Sequence, residues 1–374
     1  MDDDDGDNGW DIPSDPLGEI LRRLPPLDRR RSRLVSRHWR DVVDSRAPAR
    51  PGPAKMLVVA HGTGYVFDDV PGGSSREIPS PCSLADIVGT CNGLLCVVGT
   101  GGFTGGFVLS NPVTGETLHV PLPIRSGTPW RRWKHKEYSF AHHPTTGLYK
   151  IVHFPVEDIW TGSFDVVKVY TLGEAVSWRD VPAPAGSCLR KSCGLVSVDG
   201  FTYWVAKDTE KVMSLDLKDE RFAAVITLPA PASEPGRKCH LTEAHGRLAV
   251  AAIVTQPTNT KTEVWVLEGG AGGRRWNRRY SVQLHGADRQ MVWPHFAHGD
   301  HAMTGSTWRY SRSHDFLYVH KLSGGKNLQC REARINGKMR GKAVGKYECR
   351  TYDDVRTFAH VETTEPLNVY RVWS

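Results

Sequence analysis

The sequence predicts a mostly β chain with a small N-terminal α module. Short helices fill residues 11–46, and a β-propeller of six or seven blades fills residues 55–374. Three observations predict this. Helical periodicity is confined to the first fifty residues. From Lys55 onward the chain consists of short β-branched and aromatic runs broken by Gly, Pro, Asn and Asp, with no long amphipathic helix. These runs recur at a spacing near 50 residues, the length of one four-stranded propeller blade.

Residues 1–10 carry five Asp and nothing apolar between Met1 and Trp10, which predicts a disordered acidic tail. Next, Leu17, Ile20, Leu21 and Leu24 fall at i, i+3, i+4 and i+7 and make one apolar helix face. Asp15 is the expected cap, with Pro16 at the first helical position and Pro25-Pro26 as the stop. A second run places Val35, Trp39, Val42 and Val43 on one face. Two or three short helices in under forty residues bury too little to stand alone, so these faces need a partner. Residues 47–54, Ala-Pro-Ala-Arg-Pro-Gly-Pro-Ala, read as a semi-rigid linker.

The remainder repeats. A Gly-containing turn leads into an apolar strand at Gly93, Gly147, Gly200 and Gly246, which stand 54, 53 and 46 residues apart. A strand running into a polar turn is anchored at Val66, Val108, Tyr170, Met213, Trp265, Tyr318 and Tyr370, with steps of 42, 62, 43, 52, 53 and 52. Further strands end in proline, at Pro121, Pro182 and Pro229. Blades bury their faces only against neighbours, so the ring must close. Seven anchors favour seven blades; six suffice if residues 55–60 complete the blade that ends at Trp373.

The helical module resembles the F-box. The family pattern is Leu/Ile-Pro, an acid two residues on, Ile-Leu, Leu-Pro, then Val-Cys-Lys-x-Trp-Arg. Here it reads Ile12-Pro13, Asp15, Ile20-Leu21, Leu24-Pro25, then Val35-Ser36-Arg37-His38-Trp39-Arg40. The family usually has Leu between the helices, where this chain has Arg29-Arg-Arg-Ser-Arg33. Cys91-Asn-Gly-Leu-Leu-Cys, Asn111-Pro-Val-Thr-Gly-Glu and His143-Pro-Thr-Thr-Gly-Leu-Tyr resemble the repeats of the kelch-like F-box-associated domains of plant F-box proteins. The resemblance implies a three-helix F-box that docks on a Skp-type adaptor, and through it a cullin, in a ubiquitin ligase. It implies adaptor contacts through Ile12, Pro13, Leu17, Ile20, Leu21, Leu24, Pro25, Val35, Trp39 and Val43. The propeller would then hold a target protein, and the chain itself would catalyse nothing.

The chemistry agrees with a non-catalytic role. No Gly-x-Ser-x-Gly, P-loop or His-Glu-x-x-His occurs, and no cofactor motif. His295, His298 and His301 are three residues apart but read as a loop, not a metal site. The eight Cys form no Cys-x-x-Cys, and Cys91/Cys96 and Cys188/Cys193 are poorly spaced for zinc. The acidic start is the opposite of a signal peptide, and no apolar run spans a membrane; cytoplasm or nucleus is the expected location. Net charge is +7. Its densest clusters are Arg29–Arg33 and two that interleave Trp with Arg, at Arg131, Arg132 and Trp133 and at Arg274, Arg275, Trp276, Arg278 and Arg279. Such segments suit a nucleic acid or a protein target. The resemblance favours the protein target. The alternative is a nucleic-acid- or ligand-binding propeller with the helices as an internal clasp.

Overall fold

The structure is a computed structural model that describes residues 12–24, 32, 35–46, 54–60, 62–70, 74–80, 83–84, 87–98, 106–123, 137–156, 161–174, 177–207, 209–233, 238–255, 259–270, 273–285, 289–291, 301–306, 316–321, 330–333 and 355–371. The expected acidic tail, most of the linker, Pro25, the 131–134 cluster, His295, His298 and Trp373 lie outside the described residues.

Helix α1 (Ser14–Arg23) starts two residues earlier than the Asp15 cap predicts. Pro13 precedes it and no side chain caps it; instead the Leu17 N–H donates to Pro13 O at 3.0 Å. Pro16 therefore falls inside the first turn, where a missing N–H still costs no helical bond. Helix α2 (Arg37–Arg46) is capped by Ser36, whose hydroxyl accepts the Trp39 N–H at 3.2 Å. The two helices pack through Leu17, Leu21, Val42 and Val43, with Ile12, Leu24 and Trp39 half-buried around them. The imidazole of His38 donates from Nε2 to Ile12 O at 3.0 Å and ties the entering chain to α2. A third helix would fall between these two, over residues that are almost all outside the described ones.

The rest is β. Six four-stranded antiparallel sheets follow one another along the chain. The first contains β1 (Lys55–Ala60), β2 (Thr63–Asp69) and β3 (Ser74–Glu77), joined by the chain's last strand β24 (Val355–His360) in the order β24-β1-β2-β3. The second is β4 (Ile87–Cys91), β5 (Leu94–Val98), β6 (Gly106–Ser110) and β7 (Thr117–Pro121). The third is β8 (Tyr138–His142), β9 (Tyr149–His153), β10 (Val166–Thr171) and β11 (Arg179–Pro182). The fourth is β12 (Val196–Val198), β13 (Phe201–Val205), β14 (Lys211–Asp216) and β15 (Phe222–Thr227). The fifth is β16 (Lys238–Ala244), β17 (Arg247–Thr255), β18 (Asn259–Gly270) and β19 (Gly273–His285). The sixth is β20 (Arg289–Met291), β21 (His301–Ser306), β22 (Phe316–Lys321) and β23 (Cys330–Ala333).

Each core lies between neighbouring sheets. Leu57, Val59 and Val66 of the first meet Ile87, Leu95 and Val97 of the second. Leu94, Phe107 and Leu109 meet Tyr138, Phe140 and Ile151 of the third. Val152, Phe164 and Val169 meet Trp204 and Leu215 of the fourth, and Val205 and Val212 meet Leu241 and Val250 of the fifth. This is why β5 and β9 are buried along their whole length while β7 alternates: a second strand has a neighbour on both faces. First strands touch directly. Thr90 Oγ1 donates to Ala359 O at 2.6 Å, and the Ser139 and Ser197 hydroxyls stand 2.7 Å apart. Two glycines permit this closeness: a Cβ on Gly93 would sit 2.3 Å from Val361 O, and one on Gly200 would sit 2.9 Å from the His143 ring.

Closure differs from expectation. The predicted last strand at Asn368–Trp373 is not one: Asn368–Tyr370 is a single 3-10 turn. The closing strand is β24, paired with β1 from Lys55↔His360 to Ala60↔Val355. Beyond it the chain runs over the second and third sheets. The Asn111 amide donates to Glu365 O at 2.9 Å, and Leu367 and Tyr370 are buried among Tyr149, Tyr170 and their neighbours. Six of the seven anchors do mark third strands; the Tyr370 anchor misread an apolar tail that packs without pairing.

Burial pushes the His360 imidazole down to about 4; Arg76 and Lys55 add to this and Glu362 opposes it. An unfolded imidazole titrates near 6.5, so between these values the unfolded chain binds the extra proton. Stability tied to His360 is therefore fully present above about pH 6.5 and is lost as pH falls towards 4. We expect His360→Asn to remove about 2 kcal/mol of the acid destabilisation between pH 7 and pH 5. Parallel melting curves of both proteins would settle it; equal pH slopes would exclude the effect.

Candidate docking surfaces

The helical module fills its own core and still leaves apolar groups outside. Leu17, Leu21 and Val43 point inward and are buried, whereas Ile20 is 48% and Val35 63% exposed. Pro13 is also exposed, and Ile12, Leu24 and Trp39 are half-buried. The ten residues assigned to adaptor contact thus divide. Three hold the two helices together, three are at the seam, three face solvent, and Pro25 is outside the described residues. The i, i+3, i+4, i+7 stripe is wider than the contact with α2, so Ile20 at its margin stays uncovered.

On the β side, the connections between first and second strands and between third and fourth strands gather at one end of the sheets. Three of the first kind, at Asn92-Gly93, Asp199-Gly200 and His245-Gly246, have both residues at positive φ, the type I′ hairpin geometry. The β8–β9 connection, expected to match them through Gly147, is wider: the His143 N–H donates to Leu148 O and the Gly147 N–H to His143 O. It resembles the turns after Asn111 and Asp216, where the side-chain oxygen accepts backbone N–H groups two and three residues on. In the His143 turn the acceptor is imidazole Nδ1, taking the Thr146 N–H at 3.1 Å. That bond needs a bare Nδ1, and burial lowers the His143 pKa in the same sense.

At this end, a cleft of about 230 Å³ opens between the fourth and fifth sheets, lined by Asp199, Tyr203, Gly246, Arg247, Gly269 and Arg274 among others. Burial raises the pKa of the Tyr203 hydroxyl, with the Arg274 charge pulling it back. Arg247 and Arg274 are both exposed and make no ion pair among the described residues.

The Arg-Trp run of residues 274–279 is thus not one site. It lies on β19, the outer strand of its sheet, where alternation puts Arg274, Trp276 and Arg278 on the face towards the fourth sheet. Arg274 lines the cleft, while Arg278 reaches Glu263 at 3.4 Å. Arg275 pairs in register opposite Glu268, and Arg279 is the extra residue of a β-bulge. Trp276 is a latch: its Nε1 donates to Thr227 O, at the end of β15, at 2.8 Å. Trp178 does the same two seams earlier, donating to Pro121 O at the end of β7 at 2.7 Å. A Trp beside an outer strand thus hooks the preceding outer strand, a contact that the reading of Trp276 as a recognition residue does not include. We expect Trp178→Phe and Trp276→Phe, which keep a ring and lose the N–H, each to cost about 1 kcal/mol. The losses should add, since different seams are touched; thermal unfolding of the single and double variants measures this.

Among the described residues no three His, Cys, Asp or Glu side chains cluster to hold a metal, and no helix is long and apolar enough to cross a membrane. The described residues thus form a module of two packed helices with exposed apolar residues and a series of four-stranded sheets packed face to face. The F-box domain model matches residues 10–49, and the model of the F-box associated beta propeller domain matches residues 73–301. The second match takes in more than half of the chain, which therefore belongs to the F-box-associated β-propeller family. Plant relatives agree. An F-box protein of Arabidopsis thaliana is 26% identical over 279 residues, 71% of this chain and 65% of its own length. An F-box/kelch-repeat protein of the same plant is 26% identical over 303 residues, 76% of this chain and 69% of its own. A further F-box protein is 24% identical over 314 residues, 72% of each. The chain spans about two thirds of the length of the relatives it matches.

Proposed function

We propose that this chain is the substrate-receptor subunit of a cullin-based ubiquitin ligase. The F-box module docks on a Skp-type adaptor, and the propeller, its six sheets serving as six blades, captures a target protein. One observation carries the reading. The module's core is already filled, yet Ile20 and Val35 remain in solvent on a domain of F-box type. Apolar side chains that their own fold does not need are what a second protein covers. The chain supplies proximity and catalyses nothing, needs no cofactor, and works in the cytoplasm or nucleus. For the target, the turn end between the fourth and fifth sheets is the strongest candidate, because Arg247 and Arg274, exposed and without an ion pair among the described residues, line a cleft. Co-expression of the full chain with a Skp-type adaptor tests the reading: a stoichiometric complex should survive size exclusion at ~0.2 M salt. A folded chain that elutes alone would overturn it.

A further inference from the structure

Cys193 and Cys239 are brought together by the seam between the fourth and fifth sheets. Cys239 is on β16, and Cys193 is on a single 3-10 turn, Lys191–Cys193, just before β12. Their Sγ atoms stand 2.9 Å apart, both buried. Each precedes the glycine of its own hairpin by seven residues, Gly200 and Gly246, so they occupy one position in successive repeats. Adjacent sheets align equivalent positions, and that alignment makes the contact. A disulfide requires ~2.05 Å between sulfurs, so the pair is within ~1 Å of bonding.

We propose that Cys193 and Cys239 form a reversible inter-sheet disulfide, a covalent clasp across this seam that responds to small-molecule disulfides. The Arg190 guanidinium lies beside the pair and is itself held by Glu210, with Nη1 at 2.7 Å from both carboxylate oxygens. The hydrogen bond with Cys193, helped by Arg190, keeps the Cys239 thiol below its usual pKa despite burial; the same contact and burial push Cys193 up. Cys239 is thus the attacking sulfur. As a thiolate it displaces one thiolate from a disulfide such as oxidised glutathione and becomes a mixed disulfide. Cys193 then gives its proton to the departing thiolate, and its sulfur attacks Cys239 Sγ and releases the second thiolate, which takes up from solvent the proton that Cys239 lost on ionising. Two protein thiols are oxidised to one disulfide, and one small disulfide is reduced to two thiols. Reagent enters when the Lys191–Cys193 turn opens. That turn is short and is followed by Gly194 at φ 69°, a backbone state glycine adopts without strain.

The test uses the full chain equilibrated across a series of reduced-to-oxidised glutathione ratios, then acid-quenched, unfolded, alkylated and peptide-mapped. A Cys193–Cys239 linked peptide should appear as the ratio turns oxidising. Two alkylatable thiols should be lost, excess reduced glutathione should restore both, and the oxidised form should melt higher than the reduced form. Cys193→Ala with Cys239→Ala should melt equally in both buffers. Both thiols remaining alkylatable throughout, a bond from either to Cys188, or a glutathione adduct that never resolves would each overturn the proposal. A redox shift of melting that persists in the double variant would do the same.

Discussion

A chain ending at residue 354 should show no cooperative thermal transition. The truncation removes β24, whose six residues pair with β1 from Lys55↔His360 to Ala60↔Val355. It bares the edge of β1, a strand buried over five of its six residues. It also removes Arg356, which is buried with its guanidinium aimed at the seam with the second sheet: Nη1 donates to Ile87 O at 2.8 Å and Nη2 to Leu84 O at 3.1 Å. Ala359 O, the acceptor of Thr90, goes too, as do Leu367 and Tyr370 from the core between the second and third sheets. A domain's whole margin is ~5–15 kcal/mol, and a lost ladder, a lost buried donor and an emptied core together exceed it. A milder variant isolates one part of this. Arg356→Met keeps the volume of the side chain but removes the Arg356 donors to two buried carbonyls, at ~1–3 kcal/mol each. A fall in stability of ~2–5 kcal/mol is expected. If the truncated chain melted like the intact one, the ring would not depend on β24.

The repeat was legible in the sequence because its turns have chemistry of their own. Asn92-Gly93, Asp199-Gly200 and His245-Gly246 need positive φ, and six of seven strand anchors fall on third strands. The closing strand was not legible. Val-Arg-Thr-Phe-Ala-His places Arg356 and His360 where a core strand normally has apolar residues, and the carbonyls that the arginine satisfies, those of Leu84 and Ile87, are 272 and 269 residues away. Asn-Val-Tyr-Arg-Val-Trp alternates better and was the wrong choice: Leu367 and Tyr370 bury by packing, not pairing. Trp276 has a structural contact that was not legible for a related reason. Among four arginines it reads as a recognition residue, but the end of the preceding sheet is what its N–H holds. The Cys193–Cys239 contact, by contrast, could have been found from the sequence once the glycines had set the repeat register.

Ile20→Asp combined with Val35→Asp should abolish adaptor binding and leave the chain folded. Both side chains are largely in solvent, so in the free chain a carboxylate at either position is hydrated and should shift stability by no more than ~0.5 kcal/mol. In the complex each would be buried without a partner, at several kcal/mol, and an affinity loss of at least ~100-fold follows. The choice of residues decides what the experiment can say. Leu21→Asp would put a charge into the contact between α1 and α2, unfold the module, and lose binding for a reason unrelated to docking. The informative comparison is therefore binding and melting measured together, on the full chain, for Ile20→Asp, Val35→Asp and the pair. Loss of binding at unchanged melting places the docking surface on the exposed side of the module. Binding at wild-type strength by the folded double variant would show that these two residues face nothing, and the receptor reading would lose the observation that carries it.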